Sequence, residues 1–416
     1  MKILIQAYKF PPVNHPGSIR LYFLVREWIR LGIPVFVQTS ANQSIFPQDP
    51  SLALEVTQIR LINTRDARKL VTSPPRESAV NDRFRRMYHS FPFVYWAGDG
   101  GRTYIRHSIR YGGELIQKEG ITHIFSSYRP WSDHIVANAL KRKFPKLKWI
   151  ADFRDRPVDP IRRDVWWPKL QELYQSRLIR SADALTTVSE GLAKYFRSLH
   201  KNVVVVRNGL PNPPTGFLSA PVGSHFTLSY TGRIYPRWQT LAPLFKALRE
   251  LIDEGELNPA HLELHYAGDQ GQLWAELASE YTLGYLCVDH GRLGLNETQQ
   301  LQKSSQVNLM CSWSGADYSG ILTSKLGHYL AAGRPILAIL NGPIDKELDV
   351  AITTTNAGHL YYKGTTDKSA ELKNFVLQLY RTWAFSGAIP WRISSDLLTS
   401  YSWPDQVNHL FSRLQD

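Results

Sequence analysis

The sequence predicts an α/β protein built from two doubly wound domains, each with a parallel sheet covered by helices on both faces. The length of 416 residues favours two or three domains over one. Short apolar runs, typical of buried parallel strands, alternate with amphipathic helical patterns along the chain. This alternation pauses once near the middle and then restarts, so we expect a second sheet of the same class.

The predicted strands are short, continuous apolar runs. They cover residues 3–7, 35–38, 123–126, 149–153, 184–188 and 203–206 in the first half, and 226–230, 262–267, 307–310 and 335–340 in the second. The clearest helix begins near Pro16, and Gly32 is placed to end it because glycine readily adopts a left-handed conformation. One face of this helix is expected to be buried and carries Leu21, Leu24, Val25, Trp28 and Leu31.

The pause in the pattern indicates a domain boundary. Residues 208–214 combine turn-forming residues with three prolines, a composition typical of a linker. We therefore predict a first domain over residues 1–207, a second over 208–385, and a terminal segment over 386–416 that contains an amphipathic helix. Residues 60–105 are irregular and basic, and we interpret them as an insertion or mobile loops.

Charge is unevenly divided between the two halves. Residues 1–207 contain 34 lysines and arginines and 17 acidic residues, whereas the remainder contains 15 and 19. The net charge of +17 on the first half favours an anionic partner there, such as a phosphorylated lipid, a membrane surface or nucleic acid, and a merely solvated basic face is the alternative. Nucleic acid is the least favoured of these, because no basic motif interleaved with aromatic residues occurs.

The two cysteines, Cys287 and Cys311, exclude a disulfide framework and favour a reducing, cytoplasmic compartment. Both are predicted to be buried thiols. The apolar start of the chain is too short for a signal peptide, and no run of about 18 apolar residues occurs that could span a membrane.

The loop that follows the strand at 226–230 carries two cations four residues apart. Gly232 permits close approach of the backbone, and Arg233 and Arg237 can neutralise a diphosphate leaving group. The alternative interpretation is a turn with two solvated arginines.

A second segment, residues 319–335, joins a loop to a helix. Gly320, Thr323 and Ser324 can form the loop and the helix N-cap, leaving free N–H groups for a phosphate. Lys325 and His328 follow on the same helix face as Ser324, where they could meet a ribose or a phosphate. An ordinary surface or capping histidine is the alternative for His328.

Five weak motifs occur in a particular order along the chain. They are Ala182-Asp183-Ala184-Leu185-Thr186-Thr187-Val188-Ser189-Glu190, Asn208-Gly209, Tyr230-Thr231-Gly232-Arg233, Tyr266-Ala267-Gly268-Asp269 and Leu330-Ala331-Ala332-Gly333-Arg334-Pro335. In this order the sequence resembles the retaining glycosyltransferases of family 4. The resemblance implies the α/β GT-B fold, with two facing Rossmann-like domains and an interdomain cleft. The helix that begins at Trp403 resembles the family's last helix, which returns to the first domain.

The resemblance also implies a site. A nucleotide diphosphate sugar is expected on the second domain, as a substrate bound without a metal ion or other cofactor. Arg233 and Arg237 would contact its diphosphate, with Gly17 of the first domain close to the same phosphates. The nucleotide base is expected near Gly268 and the backbone around Arg292.

The sequence departs from the family at two positions. The family carries two glutamates eight positions apart, and counting back from Ala331-Ala332-Gly333 places Gly320 and His328 there. His328 could still hydrogen-bond the ribose hydroxyls, but Gly320 has no side chain to touch the donor sugar. The departure leaves donor identity open.

In the first domain, polar residues follow two predicted strands. Asp152 and Asp155 belong to a run in which a carboxylate could orient an acceptor hydroxyl, and Arg129 or Arg154 could bind an anionic acceptor. An internal ion pair between aspartate and arginine within residues 152–156 is an equally supported alternative. His15 and His134 are weaker candidates for the same cleft.

The sequence thus favours a retaining glycosyltransferase that acts in cell-surface polysaccharide or glycolipid assembly. A sugar-nucleotide epimerase and a non-catalytic protein that binds sugar nucleotide or glycan are the alternatives. The anionic acceptor is expected to be a lipid-linked glycan at the inner face of the cell membrane. Arginines within 60–110 and the aromatic residues Phe91, Phe93, Tyr95 and Trp96 would then contact the anionic membrane.

Overall fold

The computed structural model describes residues 1–64, 87, 90, 92–93, 100–158, 165–211, 223–315, 319–320, 322–363, 367–394 and 398–415. The chain forms two compact units, one of Met1–Arg207 with Val407–Asp416 and the other of Asn208–Gln406. Residues 386–406, which the sequence analysis grouped with the terminal helix, therefore belong to the second unit. Among the described helices, none combines the length and apolarity needed to cross a bilayer.

The first unit contains a parallel sheet in the order β3-β2-β1-β4-β5-β6-β7. Its strands are Ile3–Gln6 (β1), Val35–Ser40 (β2), Gln58–Ile62 (β3), His123–Ser127 (β4), Lys148–Phe153 (β5), Ala184–Thr187 (β6) and Val203–Val205 (β7). Its helices are Pro16–Arg30 (α1), Gly101–Glu119 (α2), Trp131–Lys143 (α3), Pro168–Ile179 (α4) and Glu190–Arg197 (α5). The strand order reverses between β1 and β4, where the carboxyl ends of both strands open a crevice suited to ligands.

The second unit repeats this plan with the parallel order β10-β9-β8-β11-β12-β13. Its strands are Phe226–Thr231 (β8), Leu262–Ala267 (β9), Cys287–Asp289 (β10), Val307–Trp313 (β11), Ile336–Asn341 (β12) and Gly358–Tyr362 (β13). Its helices are Ala242–Asp253 (α6), Gly271–Ser279 (α7), Leu295–Ser304 (α8), Ser324–Ala332 (α9), Lys346–Thr354 (α10) and Ser369–Ser386 (α11). Here the order reverses between β8 and β11.

The terminal helix, Trp403–Gln415 (α12), begins in the second unit, and its residues from Val407 onward belong to the first. Its Phe411 ring lies 6.3 Å from the ring of Trp28 in α1. The start of the helix packs on Gly209, where a Cβ atom would lie 2.8 Å from the Trp403 ring. The indole excludes any side chain at this glycine.

The predicted α/β class with two parallel sheets is confirmed, and the predicted strands all form. The sequence analysis missed β3, β10 and β13, which are short or only partly buried edge strands. Gly32 ends α1 with a φ of 71°, as predicted, but the prediction that Leu31 is buried is wrong. Leu31 is 42% exposed, because the helix has already ended at Arg30. Cys311 is buried as predicted, whereas Cys287 is only half-buried.

Candidate functional site

In the second unit, the loop between β8 and α6 lies at the reversal point of the sheet and carries both predicted arginines. Arg233 and Arg237 are exposed, and no ion pair joins either of them to another described residue. The guanidinium of Arg233 lies 5.8 Å from the ring centre of Tyr235, and that of Arg237 lies 5.6 Å from the ring centre of Trp238. Both cations are therefore available to an anion at this edge.

Two glutamines fix the inner side of the same loop. Gln239 donates from Nε2 to the carbonyl of Cys311 at 2.9 Å, and its Oε1 accepts from the amide of Tyr235 at 3.0 Å. Gln270 accepts from the amide of Ile234 at 2.8 Å. Because its backbone is held from β11 and from the start of α7, the loop presents its arginines outward from a fixed frame.

Lys325, in the first turn of α9, lies against Gly232. Gly232 has a φ of 106°, and a Cβ atom there would lie 3.0 Å from Cε of Lys325. The ammonium donates to the hydroxyl of Tyr230 at 2.6 Å and lies 3.9 Å from the centre of that ring. Tyr230 in turn donates to the carbonyl of Arg233 at 2.9 Å. The structure thus brings Lys325, Gly232 and Arg233 together. The sequence analysis had proposed each of them as a site residue but had not predicted that they lie side by side.

Desolvation lowers the pKa of Lys325 to about 8. A Cys311 thiolate would oppose this shift, but burial raises the pKa of that thiol to about 12, so that it stays neutral. Lys325 is therefore largely desolvated with no described carboxylate paired to it, and an anionic ligand would favour its charged form. Burial also raises the pKa of Tyr230 well above its usual value, so its hydroxyl remains a donor.

Thr323 takes the N-cap position of α9 with an extended backbone, but its hydroxyl does not bond the first-turn amides. That hydroxyl is buried and has no described partner. The prediction for Gly320 needs correction, because its amide is not free for a phosphate. It donates at 2.6 Å to Asp345, which also caps α10. Ser324 is the first residue of α9 and is half-buried at this helix end.

His328 lies one turn further along α9 and is half-buried. Burial lowers its pKa to about 4, so the imidazole is neutral at physiological pH. A neutral imidazole can donate and accept one hydrogen bond each, which suits a hydroxyl group better than a phosphate.

The loop after β9 packs against the loop after β8. Tyr266 donates to the carbonyl of Gly232 at 3.0 Å, and a Cβ atom at Gly268 would lie 2.9 Å from the same carbonyl oxygen. The amide of Gly268 donates to the carbonyl of Gly291 at 2.8 Å, beside the exposed Arg292. The predicted residues Gly232, Gly268 and Arg292 therefore line one edge of the sheet.

A buried neutral network below this edge was not predicted. Thr231 receives hydrogen bonds from Gln302 at 2.8 Å and exchanges one with the Tyr329 hydroxyl at 3.2 Å. Tyr329 comes from α9 and Gln302 from α8, so the network fixes both helices to the end of β8. Gln302 lies in a largely polar helix, so no apolar pattern in the sequence marks it as buried or identifies its partner.

In the first unit, the start of α1 carries a cation where the resemblance implied a phosphate. A Cβ atom at Gly17 would lie 2.5 Å from the Arg154 guanidinium, so Gly17 makes room for an arginine of this same unit. Arg154 donates to the carbonyl of Tyr128 at 2.5 and 3.1 Å. His15 caps α1 by accepting from the amide of Gly17 at 3.1 Å.

These groups line a small, open cavity of about 10 Å³, the space of roughly one water molecule, at the reversal point of the first sheet. Its charged and titratable lining comes from three different loops and one helix. These residues are Lys9, His15, Arg129, Asp133 and Arg154. Three cations against one carboxylate make the cavity electropositive, which supports the predicted anion site in this unit.

The aspartates predicted to orient an acceptor have different environments. Asp152 is fully buried and forms an ion pair with Arg20 of α1 at 2.9 Å. Arg20 and a hydrogen bond from Thr186 keep the pKa of this carboxyl below its usual value despite burial. The alternative of an internal pair within residues 152–156 is wrong for Asp152. Asp155 is half-buried, and no described cation lies within ion-pair distance of it.

His134 does not reach an open edge of the sheet. It is fully buried among aromatic rings, with the Phe153 ring 4.6 Å away, and its Nδ1 hydrogen-bonds the Ser126 hydroxyl at 2.7 Å. Burial lowers its pKa to about 3. Within the described part of the chain, no group of three or more His, Cys, Asp or Glu residues is placed to hold a metal ion.

No protein-family model matches this chain, and no curated protein sequence does. Solved structures are similar to it over almost their full length. The lipopolysaccharide outer core galactosyltransferase WaaB is 11% identical with a TM-score of 0.58, covering 100% of this chain and 99% of its own. Sucrose-phosphate synthase from Thermosynechococcus elongatus is 14% identical with a TM-score of 0.61, covering 100% and 98%.

A Listeria monocytogenes protein described as a UDP-N-acetylglucosamine 2-epimerase is 11% identical with a TM-score of 0.55, covering 100% of this chain and 95% of its own. At such identities the similarity shows the fold alone. The chain has the GT-B fold, with two Rossmann-like units.

Proposed function

We propose that the chain is a retaining glycosyltransferase that moves a sugar from a nucleotide diphosphate sugar to an anionic acceptor in cell-surface polysaccharide or glycolipid assembly. The observation that carries this proposal is a set of three cations at the reversal point of the second sheet: Lys325 lies against Gly232, and Arg233 and Arg237 are exposed on the loop that follows it. When a diphosphate leaves, the negative charge that develops on it must be stabilised, and cations fixed near the leaving group can do so.

The donor would lie along the edge of the second sheet. Arg233 and Arg237 would contact the diphosphate, and Lys325 would approach it from α9, with amides at the start of that helix as further donors. His328 would hydrogen-bond the ribose as a neutral imidazole. The backbone at Gly268 and the loop containing Arg292 would receive the base.

The acceptor would use the first unit. Arg129 and Arg154 line the electropositive cavity there, and Asp155 lies in the loop that begins at Arg154. We assign an anionic group of the acceptor to the arginines and the orientation of its hydroxyl to Asp155. In a front-face mechanism the leaving phosphate takes the proton of the attacking hydroxyl, so no separate protein base is needed.

The three cations can neutralise the leaving group in the way that a divalent ion would. We therefore expect transfer to survive excess EDTA. Complete loss of transfer in EDTA, with recovery on addition of Mn²⁺ or Mg²⁺, would contradict this part of the proposal.

Two other functions fit part of the site. A sugar-nucleotide epimerase is favoured by the similarity to the Listeria monocytogenes structure. A binding protein without activity is favoured by Gly320 and His328, which stand where the family carries glutamates, since Gly320 lacks any side chain to touch the sugar.

A panel of nucleotide sugars separates the three functions. Each is first screened by thermal shift, because a ligand selective for the folded state raises its stability. Ligands that stabilise the protein are then incubated with it, and the released nucleotide and the sugar products are analysed. A transferase releases nucleoside diphosphate in the presence of an acceptor, an epimerase yields an isomeric sugar, and a binding protein changes nothing. Absence of a shift with every donor rejects the donor site.

A further inference from the structure

The helix α4 and the two residues before it expose large apolar side chains. Trp166 is 36% exposed, Trp167 46%, Leu170 43% and Leu173 48%. Leu170 and Leu173 lie on one face of the helix, because residues three apart are neighbours on a helix surface, and the two tryptophans directly precede its first turn. We refer to these four residues as the α4 patch.

The inward face of α4, which packs against the unit, carries polar side chains in its first turns. Gln171 and Gln175 are 2% and 1% exposed, and neither polar side-chain atom of Gln175 has a described partner. Burying an amide without full hydrogen bonding is costly, and a surface helix ordinarily directs its leucines inward. Only the last turn of α4 packs apolar side chains inward, with Leu178 and Ile179 in the core of the unit. Its first two turns expose Leu170 and Leu173 while glutamines pack against the unit, which indicates that the outward face there has an apolar partner of its own.

Cations flank the patch. Lys169, Arg177 and Arg180 are exposed, and no described residue forms an ion pair with any of them. Glu172 is turned away from this face, since it lies close enough to Tyr195 to help raise the pKa of that hydroxyl. The exposed face of α4 therefore combines apolar side chains with three unpaired positive charges.

The tryptophans have a defined support. Phe93 lies 6.0 Å from the ring centre of Trp166 and 6.3 Å from that of Trp167, and the amide of Trp166 donates to Ser90 at 2.8 Å. Phe93 is also the one described residue among the four aromatics for which the sequence analysis predicted membrane contact. The other three, and the arginines at positions 65–86, lie outside the described residues.

We propose that the α4 patch is the surface by which this chain binds an anionic lipid bilayer. Tryptophan and leucine on one helix face, flanked by lysine and arginine, match the apolar boundary and the negative head groups of such a membrane. A protein partner or a second copy would require acidic groups opposite the three cations.

This placement deepens the proposed function. The α4 patch and Arg154, one of the three cations of the electropositive cavity, belong to the same unit. The membrane would then lie against the unit assigned to the acceptor, which suits a sugar acceptor carried on a phosphorylated lipid. Vesicle binding without donor or acceptor is measured independently, so failure of the lipid surface and failure of the transferase function give different results.

The test is co-sedimentation of the full chain with vesicles of phosphatidylcholine alone or mixed with phosphatidylglycerol. Binding is expected only to the mixed vesicles and should weaken with rising salt. The Lys169→Gln/Arg177→Gln/Arg180→Gln variant is expected to lose about fivefold in affinity for each cation removed. Leu170→Ser/Leu173→Ser is expected to lose roughly tenfold or more.

Matched controls remove similar groups elsewhere. Phe385→Ser replaces an apolar side chain that is 94% exposed in the second unit, and Lys201→Gln removes an exposed cation of the first. Both should bind vesicles like the wild type. Equal binding to both vesicle types, no binding to either, or wild-type binding by the α4 variants overturns the proposal.

Two further measurements locate the contact and test the other occupant. Mixed vesicles with phosphatidylglycerol, in which the phosphatidylcholine is brominated, should quench the wild-type fluorescence, and Trp166→Phe/Trp167→Phe should bind them while losing most of that quenching. Unchanged quenching places the membrane elsewhere.

Analytical ultracentrifugation without vesicles should give the same mass for the wild type and the α4 variants, and a dimer lost on substitution identifies a second copy as the occupant.

Discussion

The reversal points of the two sheets hold their cations in different ways. In the first unit Arg20 is 2% exposed and paired with Asp152, and Arg154 is bonded to a backbone carbonyl. In the second unit Arg233 and Arg237 are exposed without a described ion pair. The first set is therefore held in place by groups of the protein itself, whereas the second has no such partner and remains available to a ligand.

The buried polar networks beneath the two sheet edges also differ, in whether their members are charged or neutral. The first contains a full charge pair, Arg20 and Asp152, and the second joins neutral groups around Thr231. Arg20 also donates to the carbonyls of Val206 and Arg207 at 2.9 and 3.3 Å, at the end of the first unit. One ion pair thus connects α1, β5 and the last residues before the second unit.

The largest effect is expected from breaking this pair. Asp152→Asn leaves the Arg20 charge buried without its partner, which costs about 3–5 kcal/mol of unfolding free energy. Urea unfolding followed by circular dichroism measures the loss. Because Asp152 has a lowered pKa in the folded state, its contribution is present above its unfolded pKa and is lost as the pH falls through the lower folded value.

The exposed pair of Arg197 and Glu190 in the same unit is the control. Its members are 50% and 52% exposed, so Glu190→Gln should change the unfolding free energy by less than about 1 kcal/mol. Equal losses of unfolding free energy in the two variants would show that the buried Arg20 pair contributes no more to stability than the exposed pair does.

The sequence predicted the strands and the loops that follow them, because continuous apolar runs and turn residues are local signals. It therefore located Arg233 and Arg237 correctly at a sheet edge. It could not predict the pairing of Arg20 with Asp152, since the two residues are 132 positions apart and either aspartate could have paired within its own loop.

Contacts between residues far apart in the sequence also explain what the sequence analysis missed at the site. Gly320 was expected to offer its amide to a phosphate, but Asp345, which follows the neighbouring strand, takes that hydrogen bond. Gly17 was expected close to the phosphates, and no pattern indicated that the Arg154 guanidinium lies against it. In each case the unforeseen neighbour comes from another crossover of the sheet, which no local pattern reveals.

In the second unit, Arg233→Ala and Arg237→Ala should each weaken binding of a nucleoside diphosphate by about 1.5–3 kcal/mol, the contribution of a hydrogen bond to a charged group. Isothermal titration calorimetry measures the affinities. The control is Arg381→Ala, which removes an exposed arginine already paired with Glu256 and should bind normally. Wild-type affinity in both loop variants would mean that the diphosphate lies elsewhere.

Lys325 should make that binding depend on pH. Its pKa of about 8 in the free protein means that the ammonium is present below this value and lost above it. An anionic ligand favours the ammonium and raises its pKa, so affinity is full below pH 8 and should be about tenfold weaker at pH 9. Lys325→Arg is the matched variant, because guanidinium stays charged and its affinity should not change over this range. A wild type as insensitive to pH as this variant would remove Lys325 from the site.

The smallest effect concerns Gly232, and a second glycine with positive φ isolates it. Gly232 and Gly255 have φ values of 106° and 72°, so alanine at either position should cost about 1–2 kcal/mol of unfolding free energy. Their surroundings differ: nothing lies within 4 Å of a Cβ atom at Gly255, whereas one at Gly232 would lie 3.0 Å from Cε of Lys325. Because a lysine side chain is flexible, it can move aside by a few tenths of an ångström, which draws its ammonium away from the edge.

Gly232→Ala should therefore bind nucleoside diphosphate roughly threefold more weakly, and Gly255→Ala should bind it like the wild type. If the two variants lose the same affinity, backbone strain alone accounts for both, and contact between Lys325 and Gly232 has no part in binding.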